Sequence, residues 1–220
     1  MLKQNGWVRM NESKETVSLG PVEPLELKAY LRTRVYRDAE LQREIRENTV
    51  GRVDRCLNVF FATRTHIEPE IDNLPFGVGR RQVLGLARTV GCNEFEKRLR
   101  ERGVKGVKIV ESDELVTGTG EKAELDRIHA TYDYDCVDVE IADDIGFVIE
   151  GGDIDLTGWI GFWHQEGDLF IAGGVYPAED FEEKISVALT DSIDVDIGVD
   201  LDLWPRPYKP EMFNLIRSVR

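Results

Sequence analysis

Cysteine and histidine are scarce in this chain, with three of each in 220 residues. The cysteines, Cys56, Cys92 and Cys136, are odd in number and share no Cys-x-x-Cys spacing. That excludes a paired disulfide framework and a zinc knuckle, and it suits small buried thiols in a reducing compartment. Long apolar runs are also missing, and nothing approaches the roughly 18 apolar residues of a membrane-spanning helix. The opening Met1-Leu2-Lys3-Gln4-Asn5-Gly6-Trp7 has no apolar core of a signal peptide, and no lipidation motif follows. A cytoplasmic location is therefore expected. Phosphate loops are absent as well. Gly151-Gly152 lies in an acidic stretch that would repel phosphate, and Gly173-Gly174 lies inside a strand pattern. Neither has Walker or GxGxxG spacing, and glycines within a strand more often mark a bulge or a closely packed helix. With no catalytic triad and no metal-ligand cluster either, no cofactor is expected and a non-enzymatic role is favoured.

What the chain does have is charge, unevenly spread. Its 42 acidic residues outnumber 28 basic ones, for a net charge of −14. Residues 1–108 hold 6 Lys and 15 Arg against 15 carboxylates, a net of +6, whereas residues 109–220 have a net of −20. A carboxylate-rich, lysine-poor surface suits a cytosol at multimolar salt, where the Debye length falls to about 3 Å at 1 M. A halophilic protein is therefore expected. A hydrophobic content of 41% is enough for a folded core.

The pattern along the chain predicts an N-terminal arm over residues 1–24, with one short strand near Thr16–Leu19, and a single α+β domain over residues 25–220. From Leu25 the period is two. Leu27, Ala29, Leu31, Thr33 and Val35 share one face, and Tyr30, Arg32, Arg34 and Tyr36 share the other, a half-buried strand with an Arg/Tyr face. Asp38 is placed to cap a short helix ending near Gly51. A strand over Leu57–Thr65 and a loop to Gly79 precede a helix over Arg80–Arg102, which Gly91 bends or interrupts. Strands follow at Val107–Ser112, Leu115–Thr119, Lys122–Tyr134 and Cys136–Ile141, read as a meander. Leu156–His164 and Leu169–Tyr176, apolar on both faces, read as central strands joined by a four-residue loop. A short helix over 181–190, an alternating segment over 193–203 and a terminal helix over Glu211–Val219 complete the reading. Both halves are expected to contribute to one sheet.

Four sites merit weighing. Asp194, Asp196, Asp200 and Asp202 suggest calcium, but glycine stands fifth instead of sixth in the loop and Pro205 replaces the bidentate glutamate. Their alternation with aliphatic residues fits a solvated strand face better. His164, at the end of an aromatic strand, is a weak metal or general-base candidate that needs a second ligand such as His129 or His66. Cys92 lacks any motif partner for a nucleophile. The Arg/Tyr face of Tyr30, Arg32, Arg34 and Tyr36 is the candidate partner-binding surface, by gripping an anion or by stacking. Pairing of the same arginines with acidic strands of the second half is the plainer alternative.

The stretches Leu57-Asn-Val-Phe-Phe-Ala-Thr-Arg, Phe95-Glu-Lys-Arg-Leu-Arg-Glu-Arg-Gly103, a meander opening Val107-Lys-Ile-Val-Glu-Ser-Asp-Glu-Leu and Val175-Tyr-Pro-Ala-Glu-Asp180, in this order, resemble the elements of PsbP and Mog1-like proteins and, more closely, an uncharacterised haloarchaeal protein family. That family shares the Phe-Phe-Ala-Thr-Arg and Ala-Gly-Gly-Val-Tyr-Pro segments, over roughly residues 25–218. More distantly, over 57–180, the order of elements is similar to that of PsbP and Mog1-like proteins. The resemblance implies an α/β/α sandwich, an antiparallel sheet covered by helices, and a mainly non-enzymatic accessory or binding role. The expected function is thus a cytoplasmic, non-catalytic domain acting on a protein partner of unknown identity. The alternatives are a small metal-binding protein or enzyme using His164 with nearby carboxylates, and a single-strand nucleic-acid binder through the Arg-rich half. High salt weakens phosphate contacts steeply, which disfavours the last.

Overall fold

The computed structural model describes residues 6–22, 25–48, 58–70, 80–134, 137–142, 145–149, 152–178 and 208–220. Among these residues nine strands run in chain order: β1 Trp7–Val22, β2 Leu25–Asp38, β3 Val59–Glu68, β4 Val104–Val116, β5 Lys122–Tyr134, β6 Val137–Ala142, β7 Ile145–Ile149, β8 Gly152–Gln165 and β9 Asp168–Pro177. The described helices are α1 (Ala39–Asn48), α2 (Arg80–Arg100) and α3 (Tyr208–Ser218). Seven strands form one antiparallel sheet in the order β1-β2-β3-β9-β8-β5-β4, and β6 pairs with β7 alone. Each half of the chain thus supplies one flank, and the halves meet where β3 pairs with β9.

The alternation along β2 survives intact. Leu27, Ala29, Thr33 and Val35 are buried on one face, here called the front, and Arg32 and Tyr30 stand exposed on the back. Asp38 caps α1 as its position requires, its Oδ1 accepting from the amides of Glu40 and Leu41 at 3.1 and 3.0 Å. β8 and β9 are the central strands, and every residue of β9 is buried. They join through a two-residue turn, Glu166-Gly167, with φ of 53° and 83°, tighter than the four-residue loop expected. α2 lies on the front with Phe95 and Leu99 in a core with Ile128, Ile160 and Ile171. α3 lies on the back, its Met212, Leu215 and Ile216 packed with Trp159, Trp163 and Phe170. Gly174 makes that contact possible, because a Cβ there would strike the Val59 carbonyl oxygen and the Met212 methyl group.

Helical cover of the sheet, the α/β/α sandwich expected from the sequence, is overturned. Among the described residues strand dominates, and the helices are too few and too short to cover the sheet. Six strand spacings make the sheet about 29 Å wide, and its 13-residue strands reach about 43 Å. α3 is about 16 Å long and α2 about 32 Å, each about 10 Å across. Most of β4 therefore faces water, with Lys105, Gly106 and the run from Lys108 to Glu114 exposed. Other corrections are local. Residues read as a loose arm form the 16-residue edge strand β1, paired with β2 along its length. α2 runs unbroken through Gly91, where a Cβ would come within 2.6 Å of Ile171 Cδ1, so the glycine serves close packing instead of a bend. β4 is one bulged strand where two were expected. β6 leaves the meander because β8 takes the place beside β5, Tyr134 pairing with Gly152. Cys56, Cys136, the helix over 181–190 and the aspartate series from Asp194 to Asp202 lie outside the described residues.

Candidate anion-binding face

Cross-strand register builds the candidate site on the back of the sheet. Arg32 of β2 stands directly opposite Lys14 of β1 on one side and Arg64 of β3 on the other. Arg34, two residues on, shares their face, so four cations crowd about three strands. Like charges placed opposite one another repel, and the sheet has to compensate for them. Glu12 of β1 answers part of the charge, accepting from Arg32 Nε at 2.6 Å, Arg34 Nε at 3.3 Å and Arg9 at 3.0 Å. The hydrogen bond from Arg32, with the charges of Arg32 and Arg34, holds the Glu12 carboxyl below its ordinary value. Asp168 of β9, nearly buried, accepts from Arg64 and contacts His66 Nδ1 at 2.9 Å. The Arg64 guanidinium also lies 5.9 Å from the Phe170 ring centroid, a cation–π contact.

Between these side chains and the end of α3 lies a cavity of about 390 Å³, lined by Arg32, Arg34, Arg64 and Arg220, with Tyr36, Phe60, Ala62 and Phe170. Tyr36 and Phe60 rest against each other with ring centroids 6.2 Å apart and planes tilted by 38°, and they line the groove with aromatic surface. Tyr30 lies farther along β2. Its hydroxyl donates to Glu68 at 3.0 Å, and that bond raises the phenol above its usual value. The four predicted residues therefore do share a face, but only Arg32, Arg34 and Tyr36 line the cavity. Sequence reasoning missed Lys14, Arg64, Arg220 and the counter-charges Glu12 and Asp168. Alternation in β3 places Phe60, Ala62, Arg64 and His66 on one face, yet only the register brings that face beside β2.

The family described as a domain of unknown function, DUF6517, matches residues 1–220. The chain belongs to this family. Comparison with curated proteins and with solved structures gives no match.

The histidines of the DUF6517 chain do not gather. His66 lies on the back of β3 and His164, buried, on the front of β8. His129 pairs with Thr157, seven residues from His164 along β8, or about 23 Å. Among the described residues, no group of three or more His, Cys, Asp and Glu side chains is placed to hold a metal ion. No described helix is long and apolar enough to cross a membrane. Elsewhere the DUF6517 fold uses an arginine structurally. Asp126 of β5, fully buried, accepts from Arg88 of α2 through both oxygens at 2.5–3.1 Å and from Ser112 Oγ at 2.8 Å. Cys92, one turn along α2, has its thiol pushed up by burial first and by the Asp126 charge second. A thiol so raised is a poor nucleophile at neutral pH.

Proposed function

We propose that the chain is a non-catalytic binding domain that docks an acidic segment of a protein partner in the groove around Arg32, Arg34 and Arg64. The row Lys14–Arg32–Arg64 carries this reading. Such a row costs the free protein electrostatic energy, and an anionic partner would return it. Among the described residues the carboxylates bonded to Arg32, Arg34 and Arg64 are Glu12 and Asp168. Guanidinium forks match carboxylates in two parallel hydrogen bonds, a geometry that lysine cannot supply. Tyr36 and Tyr30 offer flat amphipathic surface beside them.

The setting we propose is the cytoplasm of a haloarchaeon, supported by the net charge of −14 and the preference for arginine over lysine. At molar salt, long-range attraction is screened, so affinity must come from short hydrogen bonds within the cavity. Fluorescence anisotropy with a labelled decapeptide of aspartate and glutamate, in 2 M KCl, tests the reading. The peptide is expected to bind, and Arg32→Ala with Arg34→Ala to weaken it about tenfold or more, as loss of charge-assisted hydrogen bonds should. Binding that the double variant leaves unchanged defeats the surface assignment. Tighter binding of oligothymidine than of the peptide at that salt would transfer the face to single-stranded nucleic acid.

A further inference from the structure

Asp168 serves two donors on the back of the sheet. It opens β9, one step beyond the pairing of Thr65 with Leu169, and its side chain is 6% exposed. Oδ2 accepts from Arg64 Nε, and Oδ1 lies 2.9 Å from Nδ1 of His66. Arg64 lines the arginine groove, while His66, two residues on along β3, stands half exposed outside it. A carboxylate paired with a guanidinium only accepts hydrogen bonds, so Nδ1 keeps its hydrogen whether the ring is neutral or charged. Nε2 is therefore the atom that gains or loses the proton. Among the described residues, the titratable and charged groups facing the ring come from three strands. They are Tyr30 with its neighbours Lys28 and Arg32 from β2, Arg64 and Glu68 from β3, and Asp168 from β9. Nε2 lies 4.0 Å from Glu68 Oε1, and Glu68 Oε2 accepts from the Tyr30 hydroxyl at 3.0 Å.

With His66 neutral, Asp168 offsets the charge of Arg64. A proton on Nε2 adds a positive charge beside Arg64 and turns the His66–Asp168 contact into an ion pair, so one carboxylate then answers two cations. Part of the Arg64 charge is thereby left for an anion in the groove. Histidine is the side chain that ordinarily changes charge between pH 5 and 8. Glu12, the groove's other counter-charge, stays ionised across that interval, because its carboxyl is held below the ordinary 4.5. We infer that His66 regulates the arginine groove, which takes up anions weakly while this ring is neutral and more tightly once Nε2 is protonated. This regulation rests on the reading of the groove as a site for acidic segments.

Inorganic sulfate, divalent at both about pH 8 and about pH 5.5, is a suitable probe, titrated into the full chain in about 0.2 M KCl and followed by protein NMR. Affinity is expected to rise about 2- to 5-fold at the lower pH, the gain from one added charge near a divalent anion in water. His66→Gln, which keeps a donor for Asp168 but cannot titrate, should abolish the rise. His66→Arg, permanently charged, should bind as tightly at the higher pH as at the lower. His129→Gln, on the far flank, should leave the rise in place. The inference is overturned if the unaltered chain binds sulfate equally at both pH values or not at all, or if the rise survives in His66→Gln. A rise that survives Arg32→Ala with Arg34→Ala puts the anion outside the groove, and overturns the inference and the groove reading together. If the acidic decapeptide binds through Arg32 and Arg34 while sulfate shows no pH response, regulation by His66 is overturned and the groove reading stands. Where circular dichroism shows that His66→Gln does not fold, His66→Arg decides, and sulfate binding no tighter than in the unaltered chain at the higher pH overturns the inference.

Discussion

Glu12 holds the arginine groove half closed. Its carboxylate accepts from Arg9, Arg32 and Arg34 at once, and any acidic partner has to compete with it. Exposed pairs of this kind are weak individually, so the competition is mild and reversible. Glu12→Gln is therefore expected to raise the affinity of the groove for inorganic sulfate about 2- to 5-fold at pH 7, read by calorimetry. Protonation should do the same in the unaltered protein. Because its folded pKa lies below the ordinary 4.5, Glu12 stabilises the fold above that value and loses the contribution as pH falls through the lowered pKa. Sulfate remains charged across that window, so its affinity should climb as Glu12 titrates, and the Gln variant should lack the climb. A sulfate affinity that is the same in both proteins at every pH would show that Glu12 does not gate the groove.

At the scale of elements, α2 is fastened to the sheet by polar as well as apolar contacts. Arg88 reaches over the Phe162 ring at 5.6 Å to meet the buried Asp126. Removing the half-buried Arg88 strands the fully buried Asp126 charge, so Arg88→Ala should cost about 3 kcal/mol in urea unfolding. A loss below about 1 kcal/mol would mean that water or Ser112 alone can satisfy Asp126.

The same scale shows what the residue pattern can and cannot disclose. β2 was legible because one of its faces is apolar and the other polar, so burial writes a period of two into the sequence. α1 was legible through Asp38. β1 was not, because it is an edge strand wetted on most of both faces, and Arg9, Asn11, Lys14 and Thr16 carry no apolar alternation. Solvation hides an edge strand from any reading based on burial. The extent of helical cover was misjudged for a related reason, since a helix pattern reports that one face is buried and not how much sheet lies beneath it. For the site, β2 disclosed Tyr30, Arg32, Arg34 and Tyr36 by alternation. Lys14 and Arg64 join them only through register, which pairs residues far apart in sequence and leaves no local trace.

At the scale of the whole molecule, part of the acidic excess lies on the far flank of the sheet. Glu111, Asp113 and Glu114 of β4 are exposed, and Glu114 faces Glu124 directly across the β4–β5 pair. Lys122 and Arg127 relieve only some of this, through exposed pairs at 3.3 and 3.4 Å with Glu114 and Glu111. Dilution lengthens the reach of the remaining repulsion. Scanning calorimetry should therefore give a Tm lower by about 5 °C or more in 0.1 M than in 2 M KCl, roughly 2 kcal/mol for a chain of this size. A Tm that holds or rises on dilution would argue against adaptation to high salt.

The β3–β9 seam also sets the order in which this protein can be built. Its partners are distant along the chain: Arg64 and Asp168 are separated by 104 positions. On a ribosome β1, β2 and β3 emerge long before β9, so the central face of β3 has no neighbour until most of the chain has been synthesised. Until then the cations of the first flank lack Asp168 from the second, and the nascent meander is open at β3 as well as at its permanent edge, β1. Closing so large a loop is slow, as sheets dominated by distant pairings fold in about milliseconds to seconds. β9, the last of the described strands to arrive, thus completes both the hydrogen-bonded core and the charge balance of the groove, so an assembled arginine face marks a chain whose folding is nearly finished.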